Sequence, residues 1–139
     1  MKGDKIKYRS GYKYQLDGDY SVQLKYIIPS RHIDSEYISL TENGLLTIKH
    51  GYAWDGPSGP TVDSKSFMRG SLVHDVIYQL IRQNFLSIAN REAADLELIE
   101  ICKEDGMGFI RRKYVFYSLR RFGLSAALPE NDKTILSAP

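Results

Sequence analysis

The chain has 139 residues, 42% hydrophobic and 26% charged, with a formal net charge of +2. That is enough for one domain with a sizeable core, and too little excess charge to point to nucleic acid. One cysteine, Cys102, excludes an intramolecular disulfide framework, and no apolar run approaches the ~18 residues of a membrane span.

Residues 1–6 are charged and lack the apolar stretch of a secretory signal, so a cytoplasmic protein is expected. The first half reads as strands. Residues 20–28 alternate apolar and mostly polar side chains, the period of a half-buried strand. Ile6 with Tyr8, and Tyr12 with Tyr14, repeat it weakly. Asp17-Gly18 is a hairpin signal, and residues 41–44 separate two further strand-like runs, 37–40 and 45–48. Residues 29–34 read as a loop. Seven of the ten tyrosines stand within the first 52 residues, which suits pleated surfaces.

Residues 51–65 hold Gly51, Gly56, Gly59, Pro57 and Pro60, which forbid regular structure. Residues 66–83 place Leu72, Val73, Val76, Ile77, Leu80 and Ile81 on a helical stripe. After a short turn, Ser87 or Asn90 caps a second helix that runs to about Glu104, where Asp105-Gly106 is a stop signal. A third helix spans about 108–122, and 124–139 is a surface tail. The expected fold is α+β in a single domain, 1–139: a small antiparallel sheet in 1–50, the 51–65 loop, and an antiparallel helix pair with a third, basic helix in 66–123.

The chemistry concentrates at His74-Asp75-x-x-Tyr78. In a helix His74 and Tyr78 share a face. Asp95 borders the apolar face of the next helix, where a carboxylate is costly unless paired. A short turn makes the two helices antiparallel neighbours and sets Asp95 level with His74, so a His74–Asp95 bond would fix the imidazole tautomer. Arg91, one turn before Asp95, is the competing partner in an intrahelical ion pair. Loop carbonyls with Asp75, and also Asp55, suit a hard cation such as Ca²⁺; the ligands are too few for zinc, and no phosphate-loop lysine follows. Asp55, Gly56 and Pro57 also read as plain turn chemistry, and Trp54 as either a core anchor or a platform for substrate. Cys102 reads as a small core residue.

The third helix carries Arg111, Arg112, Lys113, Arg120 and Arg121, five of the nineteen basic residues, interleaved with Tyr114, Phe116, Tyr117 and Phe122. Two readings stand: a solvated basic face over an aromatic core face, or a surface for phospholipid headgroups or nucleic-acid phosphates.

A glycine-rich loop, then His74-Asp75-x-x-Tyr78, then Ala94-Asp95 on a facing helix resembles the phospholipase A2 superfamily over about residues 51–98. The resemblance implies that His74 is the general base for a water, that Asp75 and loop carbonyls hold calcium, and that Tyr78 and Asp95 orient His74. The whole chain also resembles a family of small proteins of unknown function from tailed phages and prophages. Gly51-Tyr-Ala-Trp-Asp55-Gly56 and Leu72-Val-His74-Asp75-Val-Ile-Tyr78 carry that likeness, which implies a phage origin, and with it the host cytoplasm or the virion as location. The disulfides of the phospholipases are absent, Trp54-Asp55 stands where their calcium clamp lies, and a strand-rich segment precedes the site. Three functions are therefore open: a hydrolase acting on phospholipid or another ester; a non-catalytic phage protein, either a virion or assembly component or an inhibitor of a host factor, in which the same residues form a structural polar network; or a hydrolase on another substrate, such as cell-wall or nucleotide material.

Overall fold

The computed structural model describes residues 8–9, 14–54 and 65–129. Among these described residues seven short strands come first: β1 (Tyr8–Arg9), β2 (Tyr14–Leu16), β3 (Tyr20–Gln23), β4 (Ile33–Asp34), β5 (Ile38–Leu40), β6 (Leu45–Ile48) and β7 (Ala53–Trp54). Four helices follow: α1 (Lys65–Arg82), α2 (Arg91–Glu104), α3 (Phe109–Phe122) and α4 (Leu124–Ala127). The expected α+β architecture is present, with its antiparallel strands shared between two sheets, ordered β1-β2-β7 and β3-β6-β5-β4.

The turn between β5 and β6 is the expected hairpin; the Thr41 hydroxyl accepts from the Leu45 N–H, and Gly44 takes a φ of +89°. The Asp17-Gly18 signal resolves differently. It carries the chain from one sheet to the other, because β2 pairs with β1 and β7 while β3 pairs with β6. Gly18, at φ +107°, donates its N–H to His50 Nδ1 at 2.7 Å. The long strand expected over 20–28 stops at Gln23. From Lys25 to Ile27 the backbone N–H groups turn to the carboxylate of Glu97 on α2, at 2.6–3.2 Å, so a side chain takes the donors that a longer ladder would have used. The loop expected over 29–34 contributes β4 at its end.

Helix α1 is buried on nearly every side, from Phe67 to Ile81, with Asp75 as the half-buried exception. One flank meets the sheets: Tyr52 donates to Gln79 Oε1 at 3.0 Å, and Trp54 Nε1 to Ser71 Oγ at 3.2 Å. The opposite flank meets α2. A Cβ at Gly70 would stand 2.9 Å from Leu98 Cδ1 and 3.0 Å from Cys102 Sγ, so the missing side chain is what lets the helices close. The main core lies between the strands and α1, and a smaller one joins Phe67, Leu98, Cys102, Met107 and Val115 under α3.

Between α1 and α2, Asn84 takes a left-handed φ of +64° and Ser87 caps a 3₁₀ turn, Ile88–Asn90, by accepting from the Ala89 N–H. The contacts then run in opposite chain directions. Arg69 meets Glu104 and Asp105, His74 meets Asp95, and Tyr78 meets Arg91, which is the antiparallel pairing expected of a short turn. The start of the supposed surface tail is packed: Ala127 is buried and Arg82 Nη1 donates to the Ala126 carbonyl at 2.8 Å. Among the described residues no helix is long and apolar enough to cross a membrane.

Candidate functional site

The expected bond across the helical hairpin is present. His74 Nε2 lies 2.7 Å from Asp95 Oδ1, twenty-one positions away in sequence. The Tyr78 hydroxyl donates to the same oxygen at 2.7 Å, and its ring stacks obliquely on His74 with centroids 4.1 Å apart. One turn of α1 separates His74 from Tyr78, so a single acceptor on α2 meets both.

The third partner comes from α3. Arg120 Nη1 donates to Asp95 Oδ2 at 2.8 Å. Asp95 is fully buried, and its two oxygens are matched by an imidazole, a phenol and a guanidinium. Burial alone would raise its carboxyl, but the bonds from His74, Tyr78 and Arg120 outweigh burial and hold it below the usual carboxylate range. The Tyr78 phenol moves the opposite way: burial, then the bond to Asp95, pushes it well up and keeps it neutral as a donor. With Asp95 ionised and able only to accept, His74 Nε2 is the donor in the bond between them. Nδ1 has no partner among the described residues, and the His74 side chain keeps 9% of its exposure.

Arg91 does not form the intrahelical pair with Asp95 that its spacing suggested. Its Nε donates to the Tyr78 hydroxyl at 3.2 Å, and Nη2 reaches the carbonyls of Leu119 and Arg120 at the end of α3. The carboxyl end of a helix attracts a cation even where, as at Leu119, the carbonyl already accepts from the Gly123 N–H, and here it outcompetes a carboxylate already saturated by other donors. Gly123 closes the corner. A Cβ there would stand 2.6 Å from the Leu119 carbonyl oxygen and 3.2 Å from both Arg91 Nη2 and the Tyr78 hydroxyl.

Asp75 sits half-buried on α1 directly after His74. Asp55, Gly56 and Gly59 lie outside the described residues. Among the described residues no three His, Cys, Asp or Glu gather where they would hold a metal. Asp95 is consumed by its own partners, and Asp75 also makes an interaction of its own; its carboxylate is of the type a hard cation takes. Trp54 is buried in the main core, its ring 5.6 Å from that of Tyr14.

The third helix departs from the expected aromatic core face. Val115 is its buried residue and Phe116 is half-buried, while Tyr114, Tyr117 and Phe122 are exposed. Of its cations, Arg120 turns inward to Asp95 and Arg112 Nη1 donates to the Met107 carbonyl at 2.6 Å. Arg111 is half-buried, and Lys113 and Arg121 are exposed.

Sequence reasoning missed the part that Arg120 plays at Asp95, because no local pattern marks one arginine of a basic helix as inward-facing. It also missed two buried clips. Arg69 on α1 donates to Glu104, to Asp105 and to the Tyr20 hydroxyl; Glu97 holds residues 25–27. A charge inside an apolar stripe was the available signal for both. Compared with protein-family models, with curated proteins and with solved structures, the chain finds no match.

Proposed function

We propose that the chain is a phage-encoded hydrolase with a phospholipase A2-like His/Asp site, acting on the ester of a phospholipid or a related substrate in the host cytoplasm or on the virion. The observation that carries this reading is His74, bonded through Nε2 to an ionised, buried Asp95 with Nδ1 unengaged among the described residues. An imidazole held so is set up to take a proton at Nδ1. Water gives that proton to Nδ1 as its oxygen bonds to the ester carbonyl carbon. The tetrahedral oxyanion then collapses, the ester C–O bond breaks, and His74 returns the proton to the leaving alkoxide. Asp95 stabilises the transient imidazolium, and Tyr78 and Arg120 keep Asp95 in place.

A calcium ion, when bound, supplies positive charge at the developing oxyanion. Asp75 would hold it, and Asp55 with the loop carbonyls would complete its ligands.

The test is fatty-acid release from phospholipid, with and without Ca²⁺, in wild type, His74→Ala and Asp75→Asn. The expected result is calcium-dependent release that falls at least ~100-fold in His74→Ala. Equal background release in all three would end the hydrolytic reading.

A second reading has its own observation. Asp95 ties α1, α2 and α3 together through fully matched bonds, which is also how a purely structural polar network is built. A non-catalytic virion or assembly component, or an inhibitor of a host factor, would show no turnover. It would lose ~1–3 kcal/mol of stability in His74→Ala and yield a partner by pulldown.

A further inference from the structure

Helix α3 contains no acidic residue. Five of its large apolar side chains stand in solvent: Phe109 is 62% exposed, Ile110 82%, Tyr114 52%, Tyr117 61% and Phe122 70%. A helix with so much apolar surface outward marks an interaction site in a soluble domain. Ile110, Tyr114 and Tyr117 fall on one stripe by helical spacing, and Lys113 and Arg121 share it. Neither cation has a carboxylate partner among the described residues. Lys113 Nζ lies 5.1 Å from the Phe109 ring centroid and Arg121 Cζ 5.6 Å from that of Phe122.

We propose that this outward stripe of α3 docks on anionic phospholipid bilayers. Its charge calls for an anionic partner. Its most exposed side chain, Ile110, is aliphatic and offers no ring for a base to stack on, yet it enters an acyl boundary readily. Tyr114 and Tyr117 carry the amphipathic ring that belongs at headgroup level, and Lys113 and Arg121 have the reach to pair with lipid phosphates. The inner side of the helix is already fixed by Val115, by Arg120 on Asp95 and by Arg91 on its last carbonyls. Docking therefore presents a preformed surface and costs little ordering entropy. The inference deepens the hydrolytic reading, since it sets a bilayer one helix away from His74, but the exposed stripe carries it independently.

The experiment is co-sedimentation of the full chain with vesicles of phosphatidylglycerol and phosphatidylcholine, and with phosphatidylcholine alone. The variants are Lys113→Gln with Arg121→Gln, Ile110→Glu, and the control Ile88→Glu at an exposed site away from α3. Circular dichroism confirms that each is folded. Binding to anionic vesicles is expected to weaken with salt, to fall about fivefold per cation removed and about tenfold in Ile110→Glu, and to be unchanged in Ile88→Glu. Absence of anionic-vesicle binding, or equal binding by all variants, overturns the proposal. So does tighter, equally variant-sensitive binding to a single-stranded oligonucleotide, which would assign the stripe to nucleic acid. Docking without fatty-acid release from any substrate would count against the hydrolytic reading alone. Release from a dispersed short-chain phospholipid without docking would count against this inference alone.

Discussion

At the scale of single residues, Asp95 is where the molecule is least tolerant. A fully buried carboxylate is stable here because three donors from two other helices converge on it, and removing any of them exposes a desolvation cost that the rest must bear. Asp95→Asn keeps the shape but brings an amide N–H₂ against groups that donate. It is expected to cost about 2–4 kcal/mol in urea unfolding at neutral pH. Arg120→Met should cost less, about 1–2 kcal/mol, because the arginine side chain is one-third exposed while His74 and Tyr78 remain on Asp95. The His74–Asp95 pair was readable from the two residues' spacing and from the cost of a carboxylate beside an apolar face. Arg120 was not, since every basic residue of α3 looks alike until the helix is packed.

At the scale of elements, two devices join parts that do not pair by backbone. Glu97 on α2 caps three successive N–H groups of the segment after β3, and so sets where the strand ends and how the sheet meets the helices. Glu97→Ala leaves those donors to water or unpaired, and a loss of about 2–3 kcal/mol is expected, read by chemical denaturation. Gly123 does the same service for the end of α3. In Gly123→Ala the new methyl meets the Leu119 carbonyl and crowds Arg91 and Tyr78; about 1–3 kcal/mol should be lost, with the His74 imidazole NMR signals shifted because their neighbours move. Helix boundaries were legible within a residue or two, because caps, stops and the apolar stripe are local. Strand pairing was not. Asp17-Gly18 carries a hairpin signal, yet partners beyond its own neighbours decide where each strand goes.

At the scale of the whole molecule, acid should unfold the protein. Burial pushes Asp95 and Glu104 upward, but their bonds, from His74, Tyr78 and Arg120 in one case and from Arg69 and Lys25 in the other, pull both below the usual range. Stability from a depressed carboxyl is present above its unfolded value near ~4 and is lost as pH falls through the lower folded value. Glu97 has the opposite sign. Burial outweighs its three backbone bonds and raises it, so its share is present at low pH and lost as pH rises through the raised value. With two lowered carboxylates against one raised, urea midpoints are expected to drop on going from pH 5 to pH 3. The gap between wild type and Asp95→Asn should narrow over the same interval. Cys102 supplies an independent reporter: burial, aided by Asp105, pushes its thiol up to about 12, so a thiol reagent should react once the α1–α2 interface opens and not before.

The sequence alone determined the α+β class, the three long helices, the turn that makes the first two antiparallel, and the pairing of His74 with Asp95. Each follows from periodicity, capping and the cost of burying a lone charge, which act over one or two turns of chain. That Tyr78 donates to the same carboxylate was seen only in the structure. Tertiary structure decided the rest: two sheets in place of one, Arg120 as the partner of Asp95, Arg91 at the end of α3, the Glu97 clip, and an α3 whose aromatic residues face outward. In each case the deciding contact lies between elements far apart in the chain. Local pattern cannot say which of several equivalent cations, strands or helix faces is turned inward, because that choice is made by whichever neighbour satisfies the buried group at lowest cost.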